Sequence, residues 1–396
     1  MWQYVVRTVQ LYTLLIITME KDNLFLHIGE SGAQQIKYGA ILGLLKVYTP
    51  FHILQYTFVD RPSTFHCSSG DTSLTNKCFH NKRSGCDNLT FTESTISSEW
   101  GLVCEDNWLS KTTMSTLMIG FLLGALLLGN LADRIGRKTN LVITLVGMMF
   151  FNLISGLTSF YSVYLMSRLM VGFCVAGNVL SIVVLISELV GPSYRATYGL
   201  VTMGCFPIGV LLLSLLSYHI RSWRLLTTMV TVLGMPLLLI TRLLVESPRW
   251  LLSQNRVEDA ECVVATIAAG NGYHGKVDMK SMTGNMTNTS TESVLAMIAT
   301  PGLGRVTSIL CYSWVVAGAG YYGLTLAAGS AGGGGDIYTK TAGSGLVELP
   351  ALFLTYYCME NIGRRKALAW LMVASGFCCL AIPLFYSLGS TYLNTE

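Results

Sequence analysis

Gly129-Asn-Leu-Ala-Asp133-Arg134-Ile-Gly136-Arg137-Lys138 follows an apolar run of about 20 residues. Glycines let membrane helices approach closely. An acid beside a basic cluster can pair across helix ends, including with the positive N-terminus of a helix. A basic loop ending in glycine would explain the arginines but not the spacing of the acid. We therefore assign a conformational role to five residues of this stretch: Gly129, Asp133, Arg134, Gly136 and Arg137.

The composition around this stretch is that of a membrane protein. Charged residues make up 12% and hydrophobic residues 52% of the 396 residues, whereas soluble domains carry about 25% charged residues. The six histidines show no ligand spacing, no nucleophile motif precedes a helix, and no basic patch is interleaved with aromatics. The sequence thus predicts no enzyme, no cofactor, no metal site and no nucleic-acid partner.

Apolar runs long enough to cross about 30 Å of hydrocarbon recur along the chain. The apolar stretch 5–19 is short and interrupted, and is not counted as a span. Lys46 in the first span favours a bent helix whose lysine snorkels to an interface. We expect an all-α integral membrane protein with nine spans, at 39–59, 113–132, 140–158, 164–187, 197–218, 225–244, 306–327, 341–358 and 367–388.

The basic residues of two short loops set the orientation, because cytoplasmic loops are rich in lysine and arginine. These loops follow the second and eighth spans. The segment 60–112 then lies outside, with the glycosylation sequon at Asn88. Its four cysteines predict disulfides of undetermined pairing in an oxidising compartment. The expected parts are an uncertain segment 1–38, a six-helix bundle 39–244 that includes 60–112, a cytoplasmic loop 245–305, and a partial bundle 306–396; the cysteines are Cys67, Cys78, Cys86 and Cys104.

A weaker copy of the first motif, Glu360-Asn-Ile-Gly363-Arg364-Arg365-Lys366, follows the eighth span. Motifs repeated half a transporter apart imply two related bundles around a midplane site. Two other constellations place an acid and an arginine at cytoplasmic helix ends, where an ion-pair network can open and close. The gating candidates added here are Glu188, Arg195, Glu246, Arg249, Glu360, Gly363, Arg364 and Arg365.

Polar and aromatic residues within the spans are candidates for a substrate site. Glu348 lies deep in the eighth span, where an acid is costly unless it is paired or faces a cavity. Trp314, Tyr321 and Tyr322 lie on one side of the seventh span and suit a cation, although such aromatics also serve as packing. Arg168, in the outer part of the fourth span, is either a snorkelling arginine or half of a gating ion pair.

The motif at 129–138 resembles the signature loop of the major facilitator superfamily. The string 94–104, ending in Glu99-Trp100-Gly-Leu-Val-Cys104, resembles the organic cation/anion/zwitterion transporter family, as do 336–338 and 345–351. The resemblance implies alternating access in the plasma membrane, with lipid around the bundles and a possible coupling ion. It implies organic cations or zwitterions such as carnitine as substrates, with aromatics at Trp314 and Tyr321, the acid at Glu348 and an amide at Asn178.

The resemblance also implies twelve spans, so that about nine are present here. The loop containing Asp133 would latch against an eleventh helix. Four alternatives stay open: a fragment of an ordinary transporter, a truncated isoform that does not transport, a sugar-type facilitator, or an organic anion transporter.

Overall fold

The computed structural model describes residue 25 and residues 29–61, 64–69, 72–76, 86, 88–273, 303–330 and 336–393. The apolar stretch 5–19, Cys78 and the polar tract 274–302 lie outside the described residues. So do the side chains of Arg364 and Arg365.

The described chain is mainly helical, and its one small sheet lies between residues 65 and 91. Short 3-10 turns precede two of the long helices, at Cys104–Asp106 and Pro192–Tyr194. In chain order the elements are α1 (Ala33–Tyr48), α2 (Pro50–Ile53), α3 (Gln55–Val59), β1 (Phe65–Ser69), β2 (Thr72–Thr75), β3 (Asn88–Phe91), α4 (Ile96–Trp100), α5 (Asn107–Ile135), α6 (Arg137–Leu157), α7 (Tyr161–Leu189), α8 (Arg195–His219), α9 (Trp223–Thr241), α10 (Pro248–Ser253), α11 (Val257–Gly270), α12 (Leu303–Ser330), α13 (Ile337–Asn361) and α14 (Arg364–Leu393).

The chain divides into two compact units. The first, here the N-terminal unit, contains the described parts of 22–281 and the start of α13 up to residue 345. The second, the C-terminal unit, contains α12, the rest of α13 and α14.

Five helices of the described chain are long and apolar enough to cross a membrane, and they are α5 to α9. They coincide with the predicted spans two to six. α5 shows why they suit a bilayer: it buries Leu117, Gly120 and Gly124 while Leu122 and Leu126 are each 61% exposed. One face therefore packs against protein while the other is apolar and open, as lipid contact requires. The helices α12, α13 and α14 cover the last three predicted spans.

The first predicted span is bent, as expected, because it is divided into α1, α2 and α3. Pro50 has no backbone N–H, so it cannot continue the ladder of α1, and Thr49 instead bonds back to the Lys46 carbonyl at 3.2 Å. The helix also begins at Ala33, earlier than the predicted residue 39. Lys46 is 4% exposed, so the expectation that it snorkels to an interface is wrong.

The segment 60–112 contains a three-stranded antiparallel sheet in the order β2-β1-β3. A disulfide joins Cys67 on β1 to Cys86, and Cys104 is also disulfide-bonded. Disulfides in this segment are thereby confirmed. Asn88 lies at the exposed start of β3, a position that is open to a glycan.

The predicted cytoplasmic loop 245–305 begins with two helices, α10 and α11. α11 buries Ala260, Val264 and Ile267 at helical spacing, and Asn271 at its end binds the start of α1. The Asn271 side chain accepts a bond from the Gln34 backbone at 3.0 Å and donates to Gln35 at 2.8 Å. This part of the loop is an ordered extension of the N-terminal unit.

Candidate functional site

The motif at 129–138 forms the turn between α5 and α6. Gly136 there adopts φ of +103°, a conformation that strongly favours glycine. A Cβ at this position would also overlap the carboxylate of Glu246. Glycine is therefore required twice, once by the backbone and once by the acid that packs on it.

Glu246 caps the N-terminus of α6. Its Oε1 accepts bonds from the backbone nitrogens of Arg137 and Lys138 at 2.9 and 3.0 Å, and from Ser247 at 3.0 Å. A carboxylate at this place satisfies free N–H groups and complements the helix dipole. Glu246, predicted as a gating residue, therefore ties the start of α6 to the connection between α9 and α10.

Arg137 extends this cluster to two other acids. Its guanidinium is 2.8 Å from Asp133, one turn earlier, and 3.2 Å from Glu188 at the end of α7. The Trp250 indole donates to the Asp133 backbone carbonyl at 2.8 Å. The first motif and the two acid–arginine constellations, which contain Glu188 and Glu246, therefore meet in one charged cluster at the end of the N-terminal unit where α5 meets α6.

Other predicted gating residues lie around this cluster or apart from it. Arg195 is buried at the start of α8, where its Nε donates to the Val190 carbonyl at 3.4 Å. Arg249 is half-buried on α10, and Arg134 is exposed. Gly129 lies apart, because a Cβ there would meet only Leu180, at an ordinary 3.8 Å. The expectation that Gly129 permits a close helix approach is wrong.

The close approach is made elsewhere, by Gly120 and Gly124 on α5. A Cβ on either would overlap the backbone carbonyls of Leu169 and Phe173 on α7. Gly172 on α7 is the reciprocal case, because a Cβ there would overlap the backbone carbonyl of Leu117 on α5. The sequence carried the signal, because Gly120 and Gly124 form the small-residue spacing that favours helix association in membranes.

The repeated motif also places a glycine with a positive φ between two helices of the C-terminal unit. Gly363 adopts φ of +87° between α13 and α14, as Gly136 does between α5 and α6. Glu360 is exposed just before it. The two halves thus share a glycine-dependent turn, which supports the internal repeat.

The string 94–104 attaches the outer segment to the N-terminal unit. Trp100 packs against Tyr161, Tyr164 and Trp223 with ring centroids 5.1–5.5 Å apart, and Glu99 pairs with Arg224 at 2.9 Å. The aromatic contacts are edge-on or tilted, which ring quadrupoles favour. This string therefore acts as an anchor for the sheet.

Asp60, which sequence reasoning missed, forms a second anchor. Its carboxylate accepts hydroxyl bonds from Tyr56 at 3.0 Å, from Ser97 on α4 at 2.6 Å, and from Ser110 on α5. Burial raises the pKa of the Asp60 carboxyl, and the hydroxyl donors oppose that rise. Three chain segments are held at one acid.

Arg168 is 3% exposed on α7, so a snorkelling arginine is excluded. Its Nη2 donates to Asn152 at 2.6 Å and to Ser155. No carboxylate of the described residues pairs with it. The alternative of a gating ion pair is not formed in this structure.

The predicted substrate residues divide between the two units. Glu348 is 2% exposed within α13, two residues before Pro350. On α12, Trp314, Tyr321 and Tyr322 are half-buried, and the two tyrosine rings meet edge-on at 5.0 Å. These four belong to the C-terminal unit. Asn178 belongs to the N-terminal unit, buried with its amide nitrogen 3.5 Å from the Leu141 carbonyl.

Comparison with known proteins decides the family. Residues 62–393 match the family described as "Sugar (and other) transporter". Solute carrier family 22 member 15-like of Xenopus laevis is 34% identical over 365 residues, which cover 91% of this chain and 74% of that protein. The chain belongs to solute carrier family 22. Its membership confirms the predicted resemblance and makes it a multi-pass membrane transporter of the major facilitator type.

A second relative in solute carrier family 22 shows how much of the length is shared. Member 1 of Bos taurus is 35% identical over 288 residues, and the chain covers 51% of it. The chain thus spans about half the length of that relative and three quarters of the first.

A solved structure supports the fold. The proton:xylose symporter XylE, bound to 6-bromo-6-deoxy-D-glucose, aligns with a TM-score of 0.53 at 16% identity, over 83% of this chain and 69% of that one. The expected major facilitator fold is confirmed by this likeness. It shows the fold alone, and the sugar bound there is a property of XylE.

Proposed function

We propose that this solute carrier family 22 member carries small organic cations or zwitterions, such as carnitine, across the plasma membrane by alternating access. The observation that carries the proposal is the burial of Glu348, 2% exposed, within the 25-residue helix α13. A carboxylate at membrane depth is kept only where it has a partner or serves a cavity. In a transporter, a substrate cation is a partner that binds reversibly during each transport cycle.

The aromatic residues of α12 support a cationic substrate. Trp314, Tyr321 and Tyr322 offer ring faces within the same unit as Glu348. Rings bind quaternary ammonium groups by cation–π attraction, and a nearby acid adds a full charge. Pro350 removes one backbone donor near Glu348, which leaves a carbonyl able to line a cavity.

The charged cluster around Arg137 supports alternating access. It joins α5, α6, α7 and the start of α10 through ion pairs and a helix cap, all of which can open when helix ends separate. We propose that it holds the cytoplasmic end of the N-terminal unit as one rigid body. Latches from Asp133 and Glu360 to other helices belong to the same proposal.

The test is uptake of four labelled probes by cells expressing the protein: a quaternary amine, carnitine, an organic anion and glucose. We expect saturable uptake of the quaternary amine or of carnitine. An excess of the unlabelled second compound should inhibit the uptake of the first. Uptake of the organic anion alone would favour an anion transporter. Uptake of glucose alone would favour a sugar-type facilitator, and surface expression without any uptake would favour a non-transporting form.

A further inference from the structure

The tyrosine of the string Asp336-Ile337-Tyr338, at the start of α13, packs on two rings of the N-terminal unit. Its ring stacks on Phe58 of α3, with centroids 5.7 Å and planes 8° apart. It meets Tyr218 of α8 edge-on, with centroids 5.8 Å apart. Ring quadrupoles favour both arrangements. Phe58 is 0% exposed and Tyr218 is 50% exposed, so these three rings, here called the aromatic triad, lie at an edge of the unit.

The triad lies at the sheet-bearing end of the unit, on residues that are held in place. Phe58 and Tyr218 are each one residue from the end of their helix. The Arg61 guanidinium, in the next connection, donates to the Phe58 carbonyl at 3.3 Å and to the Arg221 carbonyl at 2.7 Å, and it pairs with Glu93. Hydrogen bonds from a charged donor are among the strong ones. The ends of α3 and α8 are therefore fixed to each other.

Below the triad, α13 lies antiparallel to α8. A Cβ added to Gly345 would lie 3.3 Å from the Val210 side chain. Gly345 follows Tyr338 by seven residues, about 10 Å along α13, and Val210 precedes the triad by eight, about 12 Å along α8. The two contacts therefore match in spacing. Ser214 is one helical turn from both Val210 and Tyr218, on the same face of α8, and is 3% exposed.

The same helix connects the triad to the proposed substrate acid. Glu348 follows Tyr338 by ten residues, about 15 Å along α13. The helix belongs to the N-terminal unit up to residue 345 and to the C-terminal unit beyond it. The stretch Gly343-Ser344-Gly345 lies at this change, and helices bend at such pairs of glycine and serine. The first turns of α13 can therefore move while the turn around Glu348 stays in place.

We propose that the aromatic triad is the gate at the sheet-bearing end of the transport pathway, and that Tyr338 is its moving part. In this structure the gate is closed, because Tyr338 packs against the fixed rings of Phe58 and Tyr218. A bend of α13 at 343–345 separates these rings and gives substrate access toward Glu348. A hinge of this kind suits an element that opens in every cycle. The inference rests on the proposed alternating access.

Labelling of a thiol placed below the triad tests the gate without any substrate. Ser214→Cys introduces a thiol at the buried position, and a membrane-impermeant thiol reagent is added to intact cells. Labelling with the native triad should be slow, because the reagent reaches the thiol only while the gate is open. Tyr338→Ala should raise the rate about tenfold through the loss of two aromatic pairs. Tyr338→Phe keeps both pairs and should leave the rate unchanged.

Tyr357→Ala is the matched control for this experiment. It removes a tyrosine from the same helix at a position that is 66% exposed and far from the triad along the chain. Combined with Ser214→Cys, it should label as slowly as the native triad does. The protein that keeps Ser214 gives the labelling of the native cysteines, which is subtracted. Equal acceleration by Tyr338→Ala and Tyr357→Ala, or none by Tyr338→Ala, would overturn the proposal.

Cross-linking separates a gate that opens from fixed packing. Tyr218→Cys and Tyr338→Cys together place two thiols where the rings now meet, within reach of a short bifunctional thiol reagent. The cross-link should abolish saturable uptake, while the same treatment should not change the uptake of either single variant. A cross-linked protein that still transports would overturn the proposal. If the wild type takes up none of the probes, the proposed function fails, and the labelling of Ser214→Cys still decides whether the gate exists.

Discussion

At the scale of single residues, the repeated glycines show how one position can carry two requirements. Gly136 and Gly363 share a positive φ, but only Gly136 has an acid packed against its α-carbon. Gly136 therefore meets a backbone requirement and a contact requirement, whereas Gly363 meets the backbone requirement alone.

Gly363→Ala should cost about 1–2 kcal/mol of folding free energy, the usual cost of forcing a side chain into the left-handed region. Gly136→Ala should cost more, because the added methyl also displaces Glu246 from the α6 N-terminus. Thermal unfolding of the two variants measures the difference. Equal losses would show that the Glu246 cap contributes nothing.

Asp60 gives a pH-dependent prediction at the same scale. Its folded-state pKa is raised by burial, so folding favours the protonated form. The stabilisation is complete below the ordinary carboxyl pKa of about 3.9 and is lost as pH rises through the folded-state pKa. Asp60→Asn has no such titration, so the wild-type advantage over it should shrink from pH 4 upward. A constant difference in Tm across that range would contradict the assignment.

At the scale of elements, the α5–α7 crossing depends on small residues. Gly124→Ala would place a methyl group against the Phe173 backbone, which cannot rotate away. Overpacking of this kind costs about 1–3 kcal/mol or more. Gly129→Ala, five residues along the same helix, meets only a leucine methyl at 3.8 Å. The first should lower the yield of folded protein in fluorescence-detected size exclusion, and the second should not. A normal profile for Gly124→Ala would show that the crossing can shift.

The sequence predicted the long elements and missed the short ones for a physical reason. Spans two to six follow from apolar length alone, which a bilayer demands. The strands around Cys67 are only four or five residues long, so their few alternating apolar residues, Phe65, Leu89 and Phe91, are too short a pattern to predict a sheet from sequence. These residues pack with the Cys67–Cys86 disulfide and Val103. The predicted loop 245–305 contains the helix α11, although its apolar residues recur at helical spacing and could have indicated it.

Contacts between distant segments were beyond sequence reasoning. The motif at 129–138 and the acids Glu188 and Glu246 can each be recognised from sequence, but their meeting at Arg137 depends on how four helix ends are arranged. The hydrogen bonds of Arg168 to Asn152 and Ser155 have the same origin. One arginine in a span does not say whether it faces lipid, an acid or neutral polar groups.

At the scale of the whole molecule, family membership and the glycine turn repeated in each unit describe a transporter of two related halves. In the N-terminal unit, the ordered charges hold helix ends together. In the C-terminal unit, the candidate residues are one acid and several aromatics. We therefore propose that the N-terminal unit mainly holds the bundle together and gates it, and that the C-terminal unit recognises the charge of the substrate.

The central claim is that Glu348 recognises substrate charge, and Glu258 on α11 serves as the control. Both are glutamates on helices, but Glu348 is 2% exposed, whereas Glu258 is exposed and has no part in the proposed site or latches. The measurement is saturable uptake of a labelled quaternary amine by Glu348→Gln and Glu258→Gln at equal surface expression. We predict that Glu348→Gln reduces uptake at least tenfold, a loss that corresponds to about 1.4 kcal/mol, while Glu258→Gln retains most of it. Unchanged uptake by Glu348→Gln would contradict the account and make Glu348 a structural residue.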